Sequence, residues 1–166
     1  TNAIMLKNRR IGLSQSGVVQ AFNKHGRREM LEWCDKAYDY VQQIDKEFSD
    51  WLCVPRSKRT TSIKPSGTVS LLNGSTPGIH YPEAEYYIRR IRFSVGNAIL
   101  KAIEDAGYHI EKDAYSPNTM VASFPVHEPF FKKGKNEATM WEQLEIAAAY
   151  QHYWADNSVS VTVTFK

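Results

Sequence analysis

Between Thr60 and Ser70 the chain reads Thr-Thr-Ser-Ile-Lys-Pro-Ser-Gly-Thr-Val-Ser. The β-branched residues up to Ile63 predict a short strand, and Pro65 bounds it. The small residues after the proline predict a turn that runs into a helix start near Val69. Such a turn presents several backbone N–H groups at the positive end of a helix dipole. Ser66, Thr68 and Ser70 add hydroxyl donors, and Gly67 lets a ligand approach the backbone. Pro65, Ser66, Gly67, Thr68, Val69 and Ser70 therefore form a candidate anion site suited to phosphate or pyrophosphate. Lys64 and the Lys58–Arg59 pair are the candidate sources of countercharge. The segment is not a Walker A loop, because the Gly-Lys-Ser/Thr ending is missing, and it is not GxGxxG. A Ser or Thr N-cap after a proline turn is the plain structural alternative, and the pattern alone leaves it open.

Other reactive side chains are less organised. His25, His80, His109, His127 and His152 form no HxxxH or HxH pair, so no metal site is expected. His80 sits in the loop after the turn, where it faces either a nucleotide or solvent. Glu83 and Glu85 are carboxylates two residues apart, and an exposed strand entry explains them better than acid–base work. Lys132-Lys133-Gly134-Lys135 reads as a solvated loop. Cys34 and Cys53 form neither a disulfide framework nor a zinc pattern. Cys34 lies in an apolar helical stripe and reads as a small buried hydrophobe.

These residues need elements to position them, and the chain alternates helix and strand. Gly12 to Asn23 predicts a short helix. Arg27 to Leu52 predicts a long one with Leu31, Cys34, Tyr38, Val41, Phe48 and Leu52 along one stripe. Thr60–Ile63 and Tyr86–Ser94 are expected strands, and Asn73–Pro82 a turn-rich loop. Val95 to Ala106 predicts an amphipathic helix closed by Gly107 at the C-cap. Thr119–Phe124 is expected to be a strand stopped by Pro125. Glu137–Trp154 predicts a helix with Met140, Trp141, Leu144, Ala147, Ala148 and Gln151 on one face. Trp141, Tyr150, Tyr153 and Trp154 read as core and rim of that helix. Ser158 to Phe165 is the cleanest strand pattern, with Val159, Val161, Val163 and Phe165 opposite Ser158, Ser160, Thr162 and Thr164. Apolar outward and hydroxyl-rich inward suits a barrel strand, while an ordinary half-exposed antiparallel strand fits equally well. The order of elements argues for α/β layering.

The totals set the outer bounds. A chain of 166 residues with 42% hydrophobic residues fits one domain with a core. A net charge of +3 with dispersed basic residues permits a nucleotide ligand but gives no DNA-binding footprint. No apolar run approaches the ~20 residues of a membrane span. Without a signal peptide or a disulfide pattern, a reducing, cytoplasmic setting is expected. The start at Thr1 and the stop inside a strand pattern suggest a piece of something longer.

Thr61-Ser62-Ile63-Lys64-Pro65-Ser66-Gly67-Thr68-Val69-Ser70 resembles the large-subunit ribonucleotide reductase motif, an apolar strand followed by Pro-Ser/Thr-Gly-Thr-Ile/Val-Ser. Arg9-Arg10-Ile11-Gly12-Leu13-Ser14 resembles that family's Arg-Arg-Ile-Gly segment. Gly74-Ser75-Thr76-Pro77-Gly78-Ile79-His80 resembles its loop after the phosphate helix. Tyr86-Tyr87-Ile88-Arg89-Arg90-Ile91-Arg92 is similar to a strand of the cobalamin-dependent members. Asp156-Asn157-Ser158-Val159-Ser160-Val161-Thr162 resembles a late barrel strand. The matches keep their order and cover nearly the whole chain.

The resemblance implies an α/β fold, part of the family's ten-stranded α/β barrel. Residues 1–166 would form a single segment from the C-terminal half of the catalytic barrel. It implies that Pro65, Ser66, Gly67, Thr68, Val69 and Ser70 hold the phosphates of a ribonucleotide substrate, with Lys64 and His80 near the nucleotide. The reaction implied replaces the ribose 2′-hydroxyl with hydrogen through a thiyl radical, making deoxyribonucleotides for DNA replication. Adenosylcobalamin is the implied cofactor of the preferred class, and the di-iron class is the rival. The complete enzyme would take dNTP effectors at allosteric sites, a thioredoxin-like reductant and the N-terminal half of the barrel as partners. No nucleic acid or membrane partner is implied. The radical loop of the family usually reads Asn-Pro-Cys-Gly-Glu, and neither Glu-Trp-Cys34-Asp nor Trp-Leu-Cys53-Val resembles it. The family's C-terminal cysteine pair has no counterpart either. No catalytic residue is therefore assigned, and the chain alone is expected to be inactive. The alternative is a stand-alone or split-gene module that binds a nucleotide or phosphate without catalysis.

Overall fold

A computed structural model of the chain describes residues 1–164, apart from the Leu72 side chain. Eleven elements follow one another: α1 (Asn2–Asn8), β1 (Arg10–Ser14), α2 (Val18–His25), α3 (Arg27–Trp51), β2 (Arg59–Ser62), α4 (Val69–Leu72), β3 (Tyr86–Ser94), α5 (Ile99–Asp105), β4 (His109–Lys112), β5 (Thr119–His127) and α6 (Met140–Tyr153). They build two sheets. β1 and β2 pair in parallel, with Leu13 opposite Thr61 and Ser14 opposite Ser62. β5 lies between β3 and β4 in an antiparallel sheet, with Tyr86 opposite His127 and Ser94 opposite Thr119.

The core gathers where α2, α3 and α6 cover β2. Val18 and Val19 of α2, Cys34 of α3, Ile146 and Tyr150 of α6, Ile63, Ile79, Trp154 and Ala155 form one buried cluster. The long helix holds as predicted to within a residue, and Cys34 is buried. Its stripe turns away at the end: Phe48 and Leu52 are exposed, and Ser49 is the buried residue there.

Several expectations need correction. Gly12 and Leu13 belong to strand β1, because pairing with β2 overrides the helical pattern; the helix starts only at Val18. The predicted helix from Val95 begins at Ile99, where the Asn97 side chain accepts the Ile99 amide at 3.1 Å. Ile103 on its apolar side is buried, whereas Val95 and Ile99 are exposed, so that side is buried only in part. Gly107 does close it, at φ 81°. β5 continues through Pro125 to His127. A proline is tolerated there because β4 pairs only with Met120–Ser123, so at Pro125 one side of β5 is open.

Helix α6 starts at Met140, fixed by a capping box between Thr139 and Glu142. Its buried face is Gln143, Ile146 and Tyr150, not the predicted Trp141–Leu144 side, which is exposed. Of the four aromatic residues read as core and rim, Tyr150 and Trp154 are core; Trp141 stands out in solvent.

The terminal strand pattern forms one parallel bridge, Ile63 to Val159, rather than a ladder. The Ser160 amide donates to the Ile63 carbonyl at 3.1 Å and Asn157 to Thr61 at 3.3 Å. The segment thus runs beside β2 as a third parallel line, with no further strand paired to it among the described residues. Its faces separate only in part: Val159 packs on the core and Thr162 and Thr164 line a cavity, but Val161 is exposed. Phe165 lies outside the described residues. Among the described residues no helix is long and apolar enough to cross a membrane.

Candidate functional site

Strand β2 is the base of the site, and its hydroxyl-rich sequence is consumed by internal bonds. Thr60, Thr61 and Ser62 are buried. The Thr60 amide and hydroxyl both donate to one carboxylate oxygen of Asp156 at 2.8 Å. Gln42 donates to the Thr60 hydroxyl at 2.6 Å. The Thr61 hydroxyl donates to the Trp154 carbonyl at 2.5 Å, and the Trp154 indole returns a bond to the Ser62 carbonyl at 3.1 Å. Burial of Asp156 acts to raise its pKa, but the donors from Thr60, Tyr38 and Thr61 outweigh it and hold the carboxyl below its ordinary value. The end of α6 thereby locks the strand that leads into the turn.

Beyond Ile63 the chain makes that turn. The Lys64 amide donates to the Ser14 hydroxyl at 2.9 Å, tying the turn to β1. Ser66 takes the left-handed region at φ 44°, and its hydroxyl meets that of Ser16 at 2.6 Å. The Ser70 amide and hydroxyl both donate to the Ser66 carbonyl, at 3.1 and 2.6 Å. Ser70 is buried and closes the turn, whereas Val69 points outward and is 65% exposed. The amides of Ser66, Gly67 and Thr68 have no acceptor among the described residues. Open space surrounds the position where a Cβ on Gly67 would stand. The helix that follows is one turn long, so these free amides, more than a helix dipole, are what the turn offers an anion.

The loop after the turn is clamped against it. Gly78 has φ 51°, and a Cβ there would lie 2.5 Å from the Lys64 carbonyl oxygen. His80 is held at both ring nitrogens: Nδ1 is 2.9 Å from the Pro77 carbonyl, and Nε2 accepts the Thr162 amide at 3.1 Å. His80 thus fixes the terminal segment beside the turn.

A cavity of about 330 Å³ opens at this junction, lined on the turn side by Pro65, Gly67 and His80. The antiparallel sheet supplies Tyr87 and Arg89. Arg89 donates to the Gly67 carbonyl at 2.9 Å. Lys135 also lines the cavity and pairs with Glu83 at 2.5 Å, and Lys133 pairs with Glu142, so these two lysines are docked while Lys132 is exposed as the solvated-loop reading expects.

The predicted countercharges separate. Lys64 lies in the turn itself, but Lys58 and Arg59 stand at the far end of β2. A strand rises ~3.3 Å per residue, so they are displaced by roughly 15 Å. Arg59 instead donates to the Asp156 carbonyl at 2.8 Å. Arg89 takes the place beside the turn. The motif containing it stood out in the sequence, but nothing local linked it to Gly67; the period-two alternation of β3 was the available signal. Cys34 is inside the helical core, where burial raises its thiol pKa, and Cys53 is exposed after α3. Neither cysteine lines the cavity.

No family model matches the chain. A probable adenosylcobalamin-dependent ribonucleoside-triphosphate reductase of Dictyostelium discoideum is 46% identical over 165 residues, which is 99% of this chain and 22% of that protein. The corresponding enzyme of Euglena gracilis is 46% identical over 166 residues, 23% of its length. A solved B-12 dependent (class II) ribonucleotide reductase superposes with a TM-score of 0.86 at 31% identity, over 99% of this chain and 27% of that one. The chain is homologous to a segment of the adenosylcobalamin-dependent ribonucleotide reductases. It spans about a quarter of the length of these relatives. The α/β class is confirmed with it. The order of motifs in the sequence, from Arg9-Arg10-Ile11-Gly12 to Asp156-Asn157-Ser158, thus corresponds to a homologous stretch of chain.

Proposed function

We propose that this segment contributes the substrate phosphate site of an adenosylcobalamin-dependent ribonucleotide reductase, an enzyme that makes deoxyribonucleotides by thiyl-radical chemistry. The free amides of Ser66, Gly67 and Thr68, at the mouth of a cavity and beside an arginine, carry this reading. Pro65 and Ser70 hold the turn's shape, Ser66 and Thr68 offer hydroxyls, and Val69 opens the short helix. Lys64 and His80 stand next to the nucleotide. Oriented amides with a nearby guanidinium recognise phosphate oxygens through charge-assisted hydrogen bonds. The relatives named above are triphosphate reductases, and a ribonucleoside triphosphate is the substrate proposed.

The cavity is smaller than a corrin, so it does not hold adenosylcobalamin, which would supply the radical in the complete enzyme. The rest of the barrel, including its N-terminal half, would cover the exposed face of β1 and the apolar side chains of α1, where Ile4, Met5, Ile11 and Leu13 are open to solvent. A single segment of the C-terminal half of that ten-stranded barrel, in a cytoplasmic enzyme with dNTP effectors and a thioredoxin-like reductant, completes the proposal.

The experiment is S66A/T68A in the complete reductase. Loss of both hydroxyls should weaken nucleotide binding by roughly a hundredfold, at about 1.5 kcal/mol per lost hydrogen bond to a charged phosphate. Unchanged nucleotide affinity would make the phosphate assignment wrong.

A further inference from the structure

The terminal segment keeps a row of acceptors after β2 has ended. Amides two residues apart in an extended chain point to the same edge, and Ser160, Thr162 and Thr164 form such a row. The Ser160 amide donates to the Ile63 carbonyl at 3.1 Å. The next carbonyl of a parallel neighbour would come two residues on, but there Pro65 opens the turn and the chain leaves the ladder. Side chains continue the ladder instead. The Thr162 amide donates to His80 Nε2 at 3.1 Å, and the Thr164 amide to Gln143 Oε1 at 3.1 Å. Both threonines and both of their anchors line the cavity beside the turn.

The partners of His80 fix its protonation state. A backbone carbonyl only accepts, so Nδ1, 2.9 Å from the Pro77 oxygen, carries the hydrogen. A backbone amide only donates, so Nε2 beside Thr162 is bare. An imidazolium carries hydrogens on both nitrogens and would set N–H against N–H at Thr162. Nothing around the ring offsets that cost. Among the described residues no carboxylate pairs with His80. Glu83 is taken by Lys135, Glu142 by Lys133, and Glu128 by Gln20 and the Tyr87 hydroxyl. Burial pushes the Tyr81 phenol up and the Tyr87 phenol to about 12, so neither supplies a negative charge. The cations on this side are Lys64 in the turn and Arg89, which holds the Gly67 carbonyl.

We propose that His80 is a positioning residue that works only as a neutral imidazole: its Nε2 stands in for the absent β2 carbonyl and holds the Thr162–Thr164 wall of the cavity against the phosphate turn. Its bearing on nucleotide binding rests on the turn being the phosphate site. Protonation then releases Thr162 and loosens that wall, so His80 opposes binding in acid where an imidazolium facing a phosphate would favour it.

The test is amide hydrogen exchange on the complete reductase at about pH 8 and about pH 5.5, either side of the range in which imidazoles change charge. In wild type the protection factor of the Thr162 amide falls by about fivefold or more at the lower pH, while that of Ser160, bonded to a carbonyl, holds. H80Q sets a non-titrating oxygen near the position of Nε2 and should give the same Thr162 protection at both pH values. Wild-type protection at Thr162 that ignores pH, or H80Q that follows wild type, overturns the proposal; the wild-type profile stands apart from any folding defect of the variant. The second readout is the ratio of CTP affinities at the two pH values, with H80Q carrying the nucleotide's own protonation. Wild type should lose affinity in acid beyond H80Q, by up to the factor seen at Thr162. An equal ratio, or wild type binding tighter than H80Q in acid, overturns the positioning role. Failure of the turn reading shows separately, as CTP affinity unchanged in S66A/T68A while Thr162 protection still follows pH.

Discussion

Asp156 is the residue through which the end of α6 controls β2, and its removal has a calculable effect. In D156A the Thr60 amide and hydroxyl lose an acceptor at 2.8 Å, and Thr60 is fully buried. Each buried donor left without a partner costs about 1–3 kcal/mol. The half-buried Tyr38 phenol, at 2.8 Å from the other oxygen, can turn to water and adds little. The sum is about 3 kcal/mol, which corresponds to roughly a hundredfold at 1.36 kcal/mol per factor of ten. D156N keeps an oxygen for Thr60 and loses only the charge, so about 1 kcal/mol is expected. The assay is hydrogen exchange of the Arg59–Ile63 amides in the complete protein, where protection should fall about a hundredfold in D156A and under about tenfold in D156N. The pH dependence has a fixed sign. The folded carboxyl titrates below its ordinary value of 3.8, so its contribution is complete above that pH and disappears as pH falls through the folded value. Wild type and D156N should therefore converge in acid. Protection retained in D156A, or D156N as damaging as D156A, would refute the account.

The remaining predictions concern the supports of the turn and the core. G78A places a Cβ 2.5 Å from the Lys64 carbonyl at a positive φ and should cost about 1–3 kcal/mol, read as a lower unfolding midpoint together with weaker nucleotide binding. Cys53 should react with a thiol reagent in the folded protein, whereas Cys34, buried and with its thiol pKa raised, should react only on unfolding; equal rates would contradict the core described. E142A removes the carboxylate half of the capping box and the partner of Lys133, with an expected loss of about 1 kcal/mol in chemical denaturation.

What was legible in the sequence follows the range of the interactions. The helix Arg27–Trp51 and the strand Tyr86–Ser94 were readable because their patterns are long and their ends carry local signals. Gly12 and Leu13 were misread because their conformation is decided by β2, more than forty residues away. The buried face of α6 was misread because Gln143, a polar residue, faces inward to serve the Thr164 backbone at 3.1 and 3.2 Å. The turn from Pro65 to Ser70 could be recognised from its residues alone. Its setting could not: Ser14 and Ser16 reach it from one distant stretch of chain and Arg89 from another, while Thr162 is held beside it through His80.

That convergence says what kind of device the cavity is. Its walls come from the turn and loop that follow β2, from β3, from α6 and from the terminal segment, and side chains join them across the gap. Arg89 reaches Gly67, and Gln20 bridges Glu128 on one side with the Thr76 amide and Gly74 carbonyl on the other. Asn23 adds a bond to the Phe130 carbonyl at 2.9 Å. None of these bonds closes a core, so each sheet keeps its own packing if one is lost. The width of the cavity, by contrast, depends on all of them. Substitutions at Gln20 or Asn23 should therefore leave secondary structure intact while loosening the fit of whatever occupies the cavity. The distinction follows from how positioning scales: sub-ångström errors matter to a bound phosphate far more than to a buried apolar cluster.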